Sequence, residues 1–346
     1  MKRIISLFIL GTVLLIPAFA QIDLQPAATV NLIRTEAITV RQLRTQVETL
    51  ERQAGRAFTA AERRQVLDVM INEKLVLQAA ERDRITVSDG EVNQQLQELR
   101  TQLAQNIGRQ PTDAEFAQAV RNEFGMELPA FREEMRKQLI FQKYIMAKKQ
   151  ADIQNIRVPT EADIANYYNL TRTQFVRPDT VRVTMIEVGF TDVASKARAR
   201  VVADRLVREI GNNAARFDEA VQRGMASGGD YNAGDAGYLP RNLEAQQNMG
   251  QEFMTVAFAL RQGDISGLLE GPRGFYIIKI TETYAQKNLE LSDIFQLGAP
   301  YTVRDFIGNA LLEQNQQEVL DRITQELLTE LRRGNPFQIF ENNLNW

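Results

Sequence analysis

The chain has 346 residues, of which 44% are hydrophobic and 25% are charged, a composition typical of a globular protein with two or three domains of ~100–200 residues each. It contains no histidine and no cysteine. This excludes Ser-His-Asp and Cys-His catalytic sites, histidine-ligated metals, haem, thiol redox chemistry and disulfides. The net charge of −3 disfavours nucleic acid as a partner, and the absence of a Gly-Lys dipeptide excludes a Walker A loop. We therefore expect no cofactor and no ATP-driven activity.

Residues 1–20 have the pattern of a secretory signal peptide. Two basic residues precede an apolar run over residues 4–16, and the small-residue motif Ala-Phe-Ala at residues 18–20 follows a proline. This pattern predicts cleavage after Ala20. The apolar run is shorter than the ~20 residues of a membrane-spanning helix, which disfavours the alternative of an uncleaved anchor. We expect a soluble periplasmic protein without a stable membrane anchor.

Residues 21–177 are predicted to form a helical domain that begins with a short strand pair within residues 29–38. Capping boxes, in which Ser or Thr is followed three residues later by Glu, mark three helix starts. They are Thr59 with Glu62, Ser88 with Glu91, and Thr112 with Glu115, and glycines suited to helix ends stand at Gly55, Gly108 and Gly125. The helix over residues 59–82 has apolar residues around most of its circumference, Val69 among them. We therefore expect other helices to surround it.

Residues 178–285 have the pattern of an α+β domain. Alternation through Val181, Val183 and Met185 predicts one strand, and residues 274–280 predict another. Helices are expected near residues 194–210, 217–223 and 251–260, with a glycine-rich loop over residues 224–237.

Residues 286–346 contain a long helical pattern over residues 302–333. A segment of this length is too short for an independent core. We therefore expect it to pack on the N-terminal helical domain, with the α+β domain inserted between the two.

Several segments together carry a family resemblance. They are residues 65–80 (QVLDVMINEKLVLQAA), 181–188 (VRVTMIEV), 234–238 (GDAGY), 257–266 (AFALRQGDIS) and 274–279 (GFYIIK). The first is similar to the chaperone segment of SurA-like and PrsA-like export chaperones, and the others are similar to a parvulin-type peptidyl-prolyl isomerase domain. The resemblance implies an α+β protein in which N- and C-terminal segments form a helical chaperone body around an inserted parvulin-like domain.

The resemblance also implies a proline-binding cleft. Parvulins hold the proline ring in an apolar cleft beside polar side chains that favour the twisted amide, and so lower a barrier of ~18–20 kcal/mol. Met249 and Phe253 match the cleft positions at a spacing of one helical turn. Ala236 stands at a third position that is usually leucine, which predicts a wider or shallower cleft.

The polar half of the implied site is replaced in this sequence. The two histidine positions of the family fall at Met185 and Tyr276, and its Cys or Asp position falls near Ala226 or Ser227, with Asp230 as an alternative. A tyrosine hydroxyl with an ordinary pKa of about 10 does not exchange protons at neutral pH. We therefore expect a parvulin fold without strong isomerase activity.

The predicted function is that of an ATP-independent periplasmic chaperone for unfolded exported polypeptides. The resemblance implies outer-membrane protein precursors as one class of client. An apolar groove formed by the helical domain and the C-terminal helix is the expected binding surface, and flexible methionines such as Met70, Met126, Met135 and Met146 suit it. Two alternatives stay open. One is an active peptidyl-prolyl isomerase, and the other is a structural adaptor for one dedicated partner.

Overall fold

The computed structural model describes residues 24–225 and 229–346. The predicted signal peptide, residues 1–20, and the loop position at Ser227 lie outside the described residues. Contacts divide the chain into two units. The first comprises the described residues up to Ile156 together with Asn315–Trp346, and the second is Arg157–Gln314. None of the described helices combines the length and the apolar character needed to cross a membrane.

The helices are α1 (Val40–Ala54), α2 (Ala60–Arg82), α3 (Asp89–Ile107), α4 (Asp113–Phe124), α5 (Leu128–Gln154), α6 (Glu161–Thr171), α7 (Val193–Ile210), α8 (Ala214–Gly224), α9 (Leu243–Met249), α10 (Gln251–Ala257) and α11 (Val303–Arg332). The strands are β1 (Pro26–Asn31), β2 (Thr35–Thr39), β3 (Val176–Arg177), β4 (Thr180–Gly189), β5 (Asn232–Pro240), β6 (Leu269–Glu270), β7 (Gly274–Tyr284), β8 (Lys287–Asn288) and β9 (Phe337–Ile339). Short 3₁₀ turns follow α6 and β9.

A small antiparallel sheet with the strand order β2-β1-β9 joins the two ends of the first unit. The hairpin pairs Val30 with Glu36, and β9 pairs with the other edge of β1 through Thr29 and Gln338. The predicted strand pair is therefore confirmed. Because β9 lies beyond α11, the C-terminal segment is built into the same sheet as the N-terminal hairpin.

The predicted capping boxes are present at the starts of α2, α3 and α4. At α2, the Thr59 hydroxyl accepts the amide of Glu62 at 3.3 Å, and the Glu62 carboxylate accepts the amide of Thr59 at 2.7 Å. The glycines that follow α1, α3 and α4 adopt the left-handed conformation, with φ between 67° and 73°. Local sequence signals therefore set these boundaries.

Helix α2 is central to the core of the first unit. Its Leu67, Ile71 and Leu75 are fully buried, and Ile323 and Leu327 of α11 belong to the same hydrophobic cluster. This confirms that the N- and C-terminal segments form one helical body. The prediction that α2 is surrounded on all sides is wrong at Val69, whose side chain is 65% exposed. On that side, open cavities separate α2 from the neighbouring helices.

The second unit contains a four-stranded antiparallel sheet with the order β5-β4-β7-β6. Alternation along β4 and β7 gives the sheet two apolar faces. One face, with Ile186 and Ile277, packs on α7 and α8. The other, with Val183 and Ile278, packs on α9 and α10. The predicted α+β fold class is confirmed.

The expected loop over residues 224–237 is wrong in its second half, because β5 begins at Asn232 and pairs with β4. Gly237 has φ of 77° and lies opposite Val183, where the register between the two strands shifts. A left-handed residue at such an irregularity favours glycine. The glycines that suggested a loop therefore belong to an irregular strand.

The second unit extends beyond residues 178–285 on both sides. Tyr168 of α6 donates its hydroxyl to the carbonyl of Leu289 at 3.0 Å. Both residues are buried in one cluster with Phe175 and with Val303 at the start of α11. The flanking residues pack together here, so the contacts place the limits of the unit at Arg157 and Gln314.

Candidate functional site

The register of β4 and β7 places Glu187 directly opposite Tyr276. The Tyr276 hydroxyl donates a hydrogen bond to the Glu187 carboxylate with an O–O distance of 3.3 Å. Glu187 was not among the residues predicted from the sequence. Continuing the alternation of Val181, Val183 and Met185 by one more step would have placed Glu187 on the same face of the sheet.

Tyr276 is enclosed by the protein. Its side chain is only 2% exposed, and its ring meets that of Phe253 edge-on with the ring centres 5.4 Å apart. Burial raises the pKa of the Tyr276 hydroxyl to about 12, and the negative charge of Glu187 acts in the same direction. The hydroxyl therefore stays protonated at neutral pH and acts as the donor in its hydrogen bond with Glu187.

Gly271 and Gly274 pack closely against the Tyr276 ring, and their lack of side chains leaves room for it. A Cβ at Gly271 would lie 2.7 Å from Cε2 of Tyr276 and 2.7 Å from the Met249 carbonyl oxygen. A Cβ at Gly274 would lie 3.3 Å from the Tyr276 hydroxyl. The turn before β7 therefore approaches the ring too closely for a side chain at Gly271.

Met249 and Phe253 lie in two different helices. Met249 ends α9, and Phe253 lies in α10 beyond Gly250, whose φ is 91°. The predicted spacing of one turn on a continuous helix is therefore wrong, because Gly250 breaks the helix between the two residues. Both side chains still pack against the same hydrophobic cluster. Phe253 is 1% exposed, while Met249 is partly buried.

The other predicted positions are distributed around this cluster. Met185 is partly buried against it, between Gly234 of β5 and Ile278 of β7. Ala236 is exposed on β5. Asp230 is exposed and forms an ion pair with Arg205 at 3.1 Å, while Ser227 lies outside the described residues. The structure thus brings Met185, Met249, Phe253 and Tyr276 to one cluster, and Ala236 and Asp230 stand apart from it.

The chemistry available at this cluster is limited. The buried hydroxyl of Tyr276 already donates to Glu187, and Met185 offers only a weak thioether acceptor. The cavities of about 230, 300 and 750 Å³ described on this unit are lined by none of Met185, Met249, Phe253 and Tyr276. The assignment of these residues to a proline cleft stays a prediction.

A larger opening lies in the first unit, where a cavity of about 830 Å³ is bounded by α1, α2 and α5. Its apolar lining is formed by Leu50, Phe58, Val66, Val69, Met70 and Met126. Two of these, Met70 and Met126, are among the methionines predicted to form an adaptable surface, whereas the other two, Met135 and Met146, do not line this cavity. Exposed Val69 is explained by this opening.

A second cavity of about 430 Å³ adjoins the first. Val69 lines both, and Phe141 of α5 and Leu328 of α11 add apolar surface to the second. The two cavities form the surface that we call the N-terminal groove. Helices from both ends of the chain contribute to it, and its apolar floor is interrupted by charged side chains of α2 and α5.

Two family models match this chain. The model of the SurA-like N-terminal domain matches residues 1–145, and the model of the PPIC-type PPIase domain matches residues 159–294. The N-terminal groove thus falls largely in the first match, and the Glu187–Tyr276 pair falls in the second.

Curated relatives are similar over most of the chain. The foldase protein PrsA of Clostridium botulinum (strain 657 / Type Ba4) is 23% identical over 294 residues, which cover 84% of this chain and 77% of the relative. The chaperone SurA of Chromohalobacter salexigens is 27% identical over 304 residues, covering 82% of this chain and 64% of the relative. Among solved structures, one from work on the SurA-like chaperones PEB4 and Cj1289 of Campylobacter jejuni is 14% identical, with a TM-score of 0.41, and the match covers 91% of this chain and 99% of that one.

Proposed function

Because the chain combines a SurA-like N-terminal domain with a PPIC-type peptidyl-prolyl isomerase domain, we propose that it is an ATP-independent chaperone that binds unfolded exported polypeptides in the N-terminal groove. Relatives that carry the names foldase and chaperone support a role in protein folding. The predicted signal peptide supports a periplasmic location after cleavage behind Ala20.

The observation that carries the proposal is the exposure of Val69 between two cavities. An exposed valine alone is ordinary, but here it adjoins other apolar side chains, including Met70 and Phe141. A client segment that covers these groups removes apolar surface from water, which favours binding without nucleotide hydrolysis. Partly buried methionines can adjust to side chains of different shape, as broad client binding requires.

Weak or absent isomerase activity is the second part of the proposal. It is supported by Tyr276, whose hydroxyl is buried and already donates to Glu187. The match to the PPIC-type model over residues 159–294 favours the alternative of an active isomerase. An assay of cis-trans exchange in a short proline peptide distinguishes the two, since the uncatalysed reaction takes tens to hundreds of seconds.

The chaperone proposal can be tested by measuring how well the full mature chain and its Val69→Gln variant suppress the aggregation of an unfolded client protein after dilution from denaturant. Losing the contact of one valine, worth ~1.5 kcal/mol when it is buried, is expected to weaken client binding by roughly tenfold. Val201→Gln is the matched control, because Val201 is 69% exposed on α7 and lines none of the described cavities. Equal activity of the two variants would contradict the proposal, and a single tight partner without holding activity would favour the adaptor.

A further inference from the structure

The two cavities of the N-terminal groove share one wall. Val69, Glu73, Glu134, Lys137 and Gln138 line both of them. Glu73 comes from α2, and the last three come from α5. A polypeptide that occupies both cavities must therefore cross this wall.

The wall carries a compact group of charges. Lys137 donates to Glu73 at 2.8 Å and to Glu134 at 3.1 Å, so one ammonium group lies between two carboxylates. These three are the charged residues that line the smaller cavity, which leaves it with one excess negative charge. In the larger cavity, Lys74 and Glu62 are already paired with Glu36 and Arg56, and Arg41 of α1 adds a positive charge, so the excess of negative charge is confined to the shared wall and the smaller cavity.

Each member of the group stays accessible to solvent. The side chains of Lys137, Glu73 and Glu134 are 41%, 39% and 36% exposed. Ion pairs of this exposure contribute little to stability and exchange partners readily. A cationic side chain that arrives at the wall can therefore take one carboxylate from Lys137, while a carboxylate that arrives at the wall meets two carboxylates and one ammonium group.

We propose that the shared wall selects extended client segments that place a basic residue between two apolar residues. This inference rests on the proposed function of the groove. In an extended strand, side chains of alternate residues point to the same side at ~3.3 Å per residue. A segment with apolar residues at positions one and five and Lys or Arg at position three presents all three to the groove, with the apolar groups ~13 Å apart. The apolar residues enter the two cavities, and the cation contacts Glu73 and Glu134.

The test compares labelled peptides with the cores Leu-Ser-Lys-Ser-Leu and Leu-Ser-Glu-Ser-Leu by fluorescence anisotropy on the full mature chain. We expect the lysine peptide to bind roughly fivefold more tightly at low ionic strength. The preference should decline at about 500 mM salt, where charges are screened over a few ångströms. In Glu134→Gln the preference should decrease toward equality, and Glu73→Gln is a second variant with the same expectation.

The matched control is Glu123→Gln, since Glu123 is an exposed glutamate of α4 that does not line the groove. It is expected to retain the full preference. Equal affinities for both peptides in the unaltered protein, or tighter binding of the glutamate peptide, would overturn the selectivity while leaving the groove as a binding site. Binding of neither peptide would overturn the groove itself and the chaperone proposal with it.

Discussion

Tyr276 and Glu187 face each other across neighbouring strands, and the hydroxyl of the first donates to the carboxylate of the second at 3.3 Å. The pair occupies the part of the sheet where the family resemblance implies a catalytic histidine. Because the tyrosine is buried and its donor is already used, the pair is better suited to holding β4 and β7 together than to assisting the rotation of an amide.

Tyr276→Phe tests this structural role. Removing the hydroxyl leaves Glu187 without its donor, and we expect the free energy of unfolding to fall by about 1 kcal/mol. The rate of proline-peptide isomerisation should stay unchanged. Tyr284→Phe is the control, since it removes a hydroxyl that donates to Glu282 elsewhere in the sheet. A strong loss of isomerisation in Tyr276→Phe alone would identify the hydroxyl as catalytic.

Gly271→Ala tests the close packing around the Tyr276 ring. The new Cβ would lie 2.7 Å from both the ring and the Met249 carbonyl oxygen, so backbone or ring must move. We expect a loss of about 1–3 kcal/mol in the free energy of unfolding, measured in urea. Gly267→Ala, where a Cβ meets nothing within 4 Å and φ is not positive, should be nearly neutral. Similar losses in both variants would show that the ring is not tightly enclosed.

Gln78→Leu tests the link between α2 and the N-terminal hairpin. The buried Gln78 side chain accepts the amides of Leu32 and Ile33 at 3.0 and 3.1 Å and donates to the Arg34 carbonyl at 3.0 Å. Leucine leaves these groups unpaired, and we expect thermal or urea unfolding to show a loss of about 1–3 kcal/mol. The same change at exposed Gln97 of α3 should cost far less. Equal effects at the two sites would indicate that solvent replaces these bonds.

The capping-box glutamates predict a specific weakness in acid. Hydrogen bonds from Arg109 and from the amide and hydroxyl of Thr112 lower the pKa of Glu115 to about 2. Because the pKa of Glu115 is lower in the folded chain than in the unfolded chain, these hydrogen bonds stabilise the fold fully above about pH 4.5. Their contribution is lost as the pH falls toward 2. In Glu115→Gln the Tm should therefore fall less between pH 6 and pH 3 than in the unaltered protein.

The control for this acid sensitivity is Glu123→Gln, in the same helix but outside the capping box. At α1, Gln42 takes the place of the capping-box glutamate, three residues after Thr39. Glutamine at position 115 is therefore expected to keep the cap while removing the charge. The idea is wrong if Glu115→Gln and Glu123→Gln respond to acid alike.

Helix boundaries in the first unit could be predicted from the sequence because their causes are local. The hydroxyl of Thr59 and the amide of Glu62 are three residues apart, and Gly55 ends a helix through its own backbone angle. The break at Gly250 is local too, but the matching spacing of Met249 and Phe253 suggested a continuous helix. The presence of glycine at position 250 does not by itself show that its φ is positive, because glycine also adopts negative φ values.

The candidate sites depended on pairings between distant parts of the chain. Glu187 meets Tyr276 only because β4 and β7 adopt one particular register. Val69 is exposed because open cavities separate its side of α2 from α1, α5 and α11, and the periodicity of α2 carries no information about how closely its neighbours pack. The residue types at the family positions were therefore readable from the sequence, whereas their accessibility was not.

The pairing of β9 with β1 has a consequence for the order of folding during synthesis. Strand β1 is made early, yet its partner Phe337–Ile339 emerges after every other strand of the described residues. Residues 157–314, by contrast, contain all the strands of their own sheet and can complete it sooner. Since Leu328 also contributes to the groove, the surface proposed to receive unfolded chains stays incomplete until α11 has been made, and until then the emerging protein itself exposes part of its core.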